Sequence, residues 1–373
     1  MTEATSKPRV IVVGGGYGGA TIAQTLEADF DVTLVEPRDR FVHNVALLRA
    51  LVEPGFRDKI VFSYDGLLSQ GRVVHERAIA VEPGKVTLGS GKTLAADFIV
   101  LATGSSYAFP AKVDQDDIDG FFNRLEAARS ALERASCPLL LGAGPVGIEL
   151  AGEITSRWPN KKVTIIDPAE TIVAGQFDER MRDMLREQLA ERGVRVITGD
   201  SVELPDQPAG AYGDFEVTTR SGETIASDIW FKCFGGGPSS DYLAGNLRDL
   251  VDPSGHIRVA PTLQLEGVDR VFAIGDVTNL PESKRAGVTR MHSAVVAENI
   301  RDIASGKVPS AKYSPAPERM VVPLGPDGGA GFDGRDGGRV MGPDEVIEDK
   351  GTNLKTDGVA RQFSAAKKAA SAV

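Results

Sequence analysis

Cysteine is nearly absent from this sequence of 373 residues: only Cys137 and Cys233 occur, far apart and in no C-x-x-C pair. That excludes a sequence-local redox dithiol and a zinc ribbon, and it suits a reducing compartment. Long apolar runs are missing as well, since no window approaches the roughly 18 uninterrupted apolar residues of a membrane-spanning helix. The opening MTEATSKP has no basic stretch followed by an apolar one and no Met-Gly start, so neither a secretion signal nor an N-terminal lipid anchor is expected. Positive charge is in deficit, with a net charge of -10, which argues against a nucleic-acid surface as the main business of the chain. A cytoplasmic enzyme fits these absences. The 42% hydrophobic and 25% charged residues are globular in proportion, and the length favours about two or three domains.

What the sequence has in plenty is glycine, and it is placed. Residues 9–36 read RVIVVGGGYGGATIAQTLEADFDVTLVE. An apolar run over 10–13 meets a glycine cluster, a helix-compatible segment follows, and residues 32–35 form a second short strand ending on Glu36. Gly14, Gly16 and Gly19 fill a G-x-G-x-x-G spacing, where a side chain would obstruct the turn, the approach of a pyrophosphate, or the packing of helix on sheet. A dinucleotide phosphate would sit at the helix N-terminus, and Glu36, twenty residues past Gly16, is placed to bind a ribose. The same grammar recurs in PLLLGAGPVGIELAGEI, with strand 138–141, turn glycines Gly142, Gly144 and Gly147, and a helix running to about residue 157. A strand over 162–166 then ends on Asp167, twenty residues past Gly147.

Two such units imply two dinucleotides held at once. A flavin in the first and a nicotinamide in the second lets a hydride pass from ring to ring. Asp167 favours a free ribose 2′-OH, and residues 168–174 contain no Lys or Arg for a 2′-phosphate, so NADH is preferred to NADPH.

The remaining segments are read as connectors. A short helix is expected over 44–52, a small antiparallel excursion over 73–94, and a buried strand over 97–103. Residues 107–119, rich in proline and acid, would cross into the second domain, opening with a helix over 121–134. Further helices are expected over 181–192 and 288–303, with strands over 194–198, 215–219, 229–231 and 271–274. The last of these closes on Gly275-Asp276. In the glycine-dense segment VPLGPDGGAGFDGRDGGRVMGP past residue 312, three Asp-Gly steps read either as hairpin turns or as a flexible linker. From Lys350 onward five basic residues face one acid, Asp357. That excess suits an anionic membrane surface or a solvated tail.

The set GGGYGG with Glu36, Ala102-Thr103-Gly104, GAGPVG with Asp167, and VFAIGD resembles the two-dinucleotide FAD-dependent pyridine nucleotide oxidoreductases. FVHNVALLRALVEPGF and ATGSSYAFPAK resemble their ferroptosis-suppressor and apoptosis-inducing-factor-homologue branch, which is similar to the type II NADH:quinone oxidoreductases. The resemblance implies an α/β fold with two Rossmann-like, glutathione-reductase-like domains and a small C-terminal α+β domain. It also implies a division into residues 8–111 with 237–312 for FAD, 112–236 for NADH, and 313–373 for the remainder.

Carried onto this sequence, the resemblance places the FAD pyrophosphate on Gly14, Gly16 and Gly19 and the adenosine ribose on Glu36. Ala102, Thr103 and Gly104 would close the floor, Gly275-Asp276 would hold the ribityl chain, and the helix after them would face the flavin pyrimidine edge. Arg38 and Arg40 would embrace adenine or diphosphate, and Asn44 would line the flavin pocket. Glu149, on the helix after the second turn, would stand near the nicotinamide, with Glu153 one turn on in reserve. His43 and Lys284, with His292, are the other candidates for catalysis. Each also has a plain structural reading: His43 as a helix cap, Lys284 as an exposed loop charge, His292 as a polar helix residue. Disulfide reductases place a cysteine pair on the helix that here reads HNVALLRAL, so electrons would leave the flavin directly, to a quinone, to oxygen or to a redox protein. Phe234 stands where relatives often carry Thr in a Cys-Thr-Gly turn, a departure that reshapes the floor of the second domain. A monomer and a homodimer are both compatible with the sequence.

Overall fold

The computed structural model describes residues 7–364. In chain order the elements are β1 (Arg9–Val13), α1 (Tyr17–Leu26), β2 (Asp31–Val35), β3 (Arg40–Val42), α2 (Leu47–Val52), β4 (Val61–Ser63), β5 (Arg72–Val74), β6 (Ala78–Glu82), β7 (Lys85–Leu88), β8 (Thr93–Ala95), β9 (Phe98–Leu101) and α3 (Ile118–Arg134). After these come β10 (Pro138–Leu141), α4 (Pro145–Arg157), β11 (Thr164–Asp167), α5 (Glu179–Glu191), β12 (Arg195–Thr198), β13 (Phe215–Thr218), β14 (Thr224–Ser227), β15 (Ile229–Lys232), β16 (Val271–Ala273) and α6 (Val288–Ala304). The chain closes with β17 (Arg319–Pro323), β18 (Gly329–Asp333), β19 (Arg339–Met341), α7 (Pro343–Val346) and α8 (Thr356–Phe363).

Two parallel sheets carry the molecule. The first has the order β16-β9-β1-β2-β5 and the second β12-β11-β10-β15. Their central strands β9 (FIVL) and β10 (PLLL) are apolar and buried at every position, as a sheet covered on both faces requires. In each sheet the fingerprint strand is flanked on both sides, β1 by β2 and β9, β10 by β11 and β15. The turns after β1 and β10 therefore open at the switch points, where doubly wound sheets bind ligands. β16 arrives from far along the chain to pair with β9, which makes the first sheet a split one.

Three differences from the sequence reading have physical causes. Residues 73–74, expected to begin the antiparallel excursion, instead belong to β5, which pairs in parallel with β2; the excursion proper is β6-β7-β8. The helix expected from residue 121 begins at Ile118, because Asp117 caps it by accepting the Gly120 N–H at 3.0 Å. The glycine-rich stretch past 312 is a three-stranded antiparallel sheet, β17-β18-β19, and the Asp327-Gly328 step turns its first hairpin, with Leu324 N–H donating to Gly328 C=O at 3.0 Å. The linker alternative does not hold over these residues.

Packing crosses the sequence segments. α2 lies early in the chain, yet Leu47 and Leu51 join a core with α3, α4 and the β17–β18 hairpin. Val359 and Phe363 of α8 join the core of the first sheet. The site is thus enclosed by pieces from both ends of the chain.

Candidate functional site

The two glycine turns are built alike. Gly14 has φ +99°, and a Cβ there would stand 2.6 Å from the Ala102 carbonyl oxygen; one on Gly19 would stand 1.7 Å from the Gly14 oxygen. In the second turn Gly142 has φ +117°, with the Cys233 carbonyl oxygen 2.8 Å from its would-be Cβ, and one on Gly147 would lie 1.9 Å from the Gly142 oxygen. By contrast Gly16 and Gly144 face open space, and they begin α1 and α4 with no side-chain cap. First-turn amides left without a side-chain partner at an open helix end suit an anionic pyrophosphate. Residues of both turns therefore fit a dinucleotide.

The acids that follow do more than wait for a ribose. Glu36, buried at 4% exposure, accepts the Gly15 N–H at 2.7 Å and the Arg38 N–H at 3.1 Å. Asp167 accepts the Ala143 N–H at 2.6 Å and the Ala169 N–H at 2.8 Å. Each carboxylate pins the turn it faces.

The floor between the domains consists of two crossing segments paired with each other. Thr103 Oγ1 donates to Ser239 C=O at 2.6 Å and lies 2.9 Å from Tyr242 Oη. Gly104, at φ +65°, accepts the Ser239 N–H, and Ala102 N–H donates to Val13 C=O at 2.8 Å, tying β9 to β1. Next to this floor Asp276 accepts Ser105 Oγ at 2.7 Å and lies 3.8 Å from the Lys112 ammonium, which donates to Ser105 Oγ at 3.0 Å. Burial lowers the Lys112 pKa, and Asp276 draws it back up. Gly275 N–H donates to Nδ1 of His292 at 3.0 Å, so the ring carries its proton on Nε2, which lies 3.0 Å from Glu282 Oε1. Tyr313 Oη donates to the other oxygen of Glu282 at 2.5 Å. His292 is fully buried and acts as the anchor of the Gly275-Asp276 turn.

The three catalytic candidates are all engaged by protein groups. Glu149 accepts from the Lys350 ammonium at 2.7 Å, and burial raises its pKa against the pull of that charge. His43 Nε2–H donates to the Leu354 carbonyl at 2.6 Å, while Nδ1 accepts the Tyr17 hydroxyl at 2.8 Å. Burial lowers its pKa, so the ring is neutral. Lys284 donates to the carbonyls of Thr278 at 2.7 Å and Leu280 at 3.0 Å, bracing the loop after Asp276; burial lowers its pKa. Arg38 donates to the carbonyls of Val113 and Gln115, Asn44 accepts the Val113 N–H at 3.1 Å, and Arg40 pairs bidentately with Asp119. These three brace the crossing into the second domain. Glu153 forms a buried pair with Arg49, at 2.9 to 3.1 Å.

Tyr17, Arg49, Ser105, Lys112, Tyr242 and Lys350 escaped the sequence reading as site groups. Lys112 had a signal, being a lone cation beside the proline of the crossing segment; the others act through contacts that no spacing reveals. Cys233 is buried, its S–H points at the Phe231 carbonyl 3.8 Å away, and its thiol is pushed up to about 12 by desolvation, so its sulfur is inert at neutral pH.

A split sheet, two open phosphate turns and a braced Gly-Asp turn define a reductase that holds two dinucleotides. Comparison with known proteins gives the family: residues 8–299 match the pyridine nucleotide-disulphide oxidoreductase model, and the chain belongs to that family. It is an FAD-dependent NAD(P)H oxidoreductase. Apoptosis-inducing factor homolog A of Dictyostelium discoideum is 32% identical over 349 residues, covering 88% of this chain and 86% of the relative. Ferroptosis suppressor protein 1 of Taeniopygia guttata is 33% identical, covering 87% and 88%. Among solved structures the sulfide:quinone oxidoreductase of Aquifex aeolicus superposes with a TM-score of 0.76 at 17% identity, covering 96% of this chain and 92% of that one. The water-forming NADH oxidase of Lactobacillus brevis gives 0.63 at 22%, covering 82% and 71%. The solved structures share the fold. Among the described residues no helix is long and apolar enough to cross a membrane, and of the basic tail Lys367 and Lys368 lie outside the described residues.

Proposed function

We propose that the chain takes a hydride from NADH onto FAD and passes the two electrons to a quinone-type acceptor, which gains two protons, one derived from the hydride and one from solvent, with no redox disulfide between. When bound, FAD would supply the hydride-accepting and electron-releasing chemistry; the protein binds, orients and excludes water. The first turn with Glu36, the Thr103-Gly104 floor and Asp276 would hold FAD, and the second turn with Asp167 would hold NADH. Glu149, partly buried on α4 one turn past the second phosphate turn, would face the nicotinamide, with the Lys350 ammonium beside it. One observation carries the direct-transfer reading: α2 and the turn before it contain no cysteine, and the thiol of Cys233 is buried and held protonated. Nothing among the described side chains relays electrons as a dithiol would. The quinone assignment draws on the relatives, and the sulfide:quinone oxidoreductase among the solved structures is named for action on a quinone.

The test is to purify the FAD-loaded protein and follow NADH and NADPH oxidation with a short-chain quinone, ferricyanide and oxygen. Quinone reduction should persist in a Cys137→Ser, Cys233→Ser double variant and favour NADH. Loss of turnover in that variant, with fold and flavin retained, would refute direct transfer.

A further inference from the structure

The second sheet has a residue at its ligand-binding edge that the family reading leaves without a task. β15 ends at Lys232, and the next residue, Cys233, is locked onto the fingerprint turn. Its N–H donates to Leu141 C=O at 2.7 Å, its carbonyl takes the Tyr107 hydroxyl at 2.9 Å, and its carbonyl oxygen is the atom that forbids a side chain at Gly142. Phe234 follows directly. The residue is 44% exposed, although the backbone of Cys233 just before it is tied down on both its N–H and its carbonyl. The Lys232 ammonium lies over the ring, 4.9 Å from its centroid, which holds the ring at the lip of the cleft. A large aromatic side chain left half in water buries little of its area in the fold.

Strand order tells which part of a dinucleotide it meets. In β12-β11-β10-β15 the acid that would take the adenosine ribose, Asp167, ends β11 on one side of the fingerprint strand. Phe234 follows β15 on the other side. A dinucleotide with its pyrophosphate at the start of α4 and its adenosine toward Asp167 extends its other half over the end of β15. We infer that Phe234 is a binding residue for the nicotinamide half, stacking its ring on the pyridine ring. The inference rests on assigning the second turn to the nicotinamide nucleotide.

The experiment compares two probes on FAD-loaded protein by calorimetry: NAD⁺, and ADP-ribose, which is the same molecule without the nicotinamide. Phe234→Ala should weaken NAD⁺ about ten-fold, in the range of one lost aromatic stack, and leave ADP-ribose as in the parent; Phe234→Tyr should restore NAD⁺. A parallel loss of ADP-ribose would overturn the inference, because the residue would then serve the adenosine half or the domain's fold. Unchanged or tighter NAD⁺ binding would overturn it too, the ring then being idle or in the way. Asp167→Asn tests the underlying assignment separately: it should weaken both probes, and if ADP-ribose binds that variant undiminished the second turn is not the nucleotide site.

Discussion

Arg49 and Glu153 offer the sharpest test of how the site is held together. Both side chains are 6% exposed, Arg49 makes three contacts to the carboxylate at 2.9 to 3.1 Å, and its remaining nitrogen donates to Thr352 C=O at 3.1 Å. One guanidinium thereby joins α2, α4 and the C-terminal segment. Arg49→Met keeps the apolar stem and removes the charge, leaving Glu153 buried alone with Glu149 one turn away. Breaking a buried pair from one side costs about 3–5 kcal/mol, a large share of a total stability on the order of 5–15 kcal/mol. The double variant Arg49→Met, Glu153→Met leaves no stranded charge and should recover most of that loss.

The loss in the single variant should also depend on pH. Burial raises the Glu153 pKa, and without Arg49 nothing offsets it. A carboxyl whose pKa is higher folded than unfolded binds more protons when folded, so stability falls as pH rises through the folded value. The penalty should therefore be full in mildly alkaline solution and shrink as the pH is lowered and the carboxyl takes up its proton. Denaturant titration of the FAD-loaded protein, read by fluorescence of Trp158 at the end of α4, measures it. A penalty under about 1 kcal/mol, the scale of an exposed pair, or an equal penalty in the double variant, would refute the reasoning.

Three further outcomes are expected. Gly19→Ala, whose Cβ would stand 1.7 Å from the Gly14 oxygen, should yield protein that purifies without flavin, measured by the absorbance ratio of flavin to protein. Lys112→Met should keep the fold and weaken FAD about ten-fold, the scale of one lost charge-assisted bond, because Asp276 loses its cation; unaltered FAD retention by fluorescence would count against that role. A thiol reagent at pH ~8 should leave Cys233 unlabelled in the native protein, since burial pushes the thiol up to about 12, and should label it on unfolding.

How much of this was legible in the sequence depended on whether a residue type carried the constraint. The glycine turns were legible because only glycine tolerates φ +99° or a carbonyl 1.7 Å from a would-be Cβ, and the acids because they close the next strand at fixed spacing. The direction of β5 was not legible, since three residues, RVV, carry no signal for parallel or antiparallel pairing. The start of α3 was written in Asp117 as a cap, but an acidic, proline-containing crossing masked it.

The C-terminal segment shows the deeper reason. Its ties to the site run largely through main-chain carbonyls: Thr352 to Arg49, Leu354 to His43, and Gln362 to Gln24. Every residue type has a carbonyl, so none of these ties leaves a mark in the sequence. Among its side-chain ties, Lys350 to Glu149 takes a lysine that composition alone assigns to a solvated tail or a membrane surface. The geometry bears the cost of these ties. Leu354 and Lys355 sit at φ +53° and +66°, a conformation that costs side-chain-bearing residues on the order of 1–3 kcal/mol each and persists only where surrounding contacts over-determine it. Here they do: His43 holds the carbonyl before the reversal, and beyond it Phe363 stacks on Phe41 with centroids 4.3 Å apart. The reversed chain brings α8 back against α1, the helix that starts at the first phosphate turn, so the end of the described chain is a wall of the site.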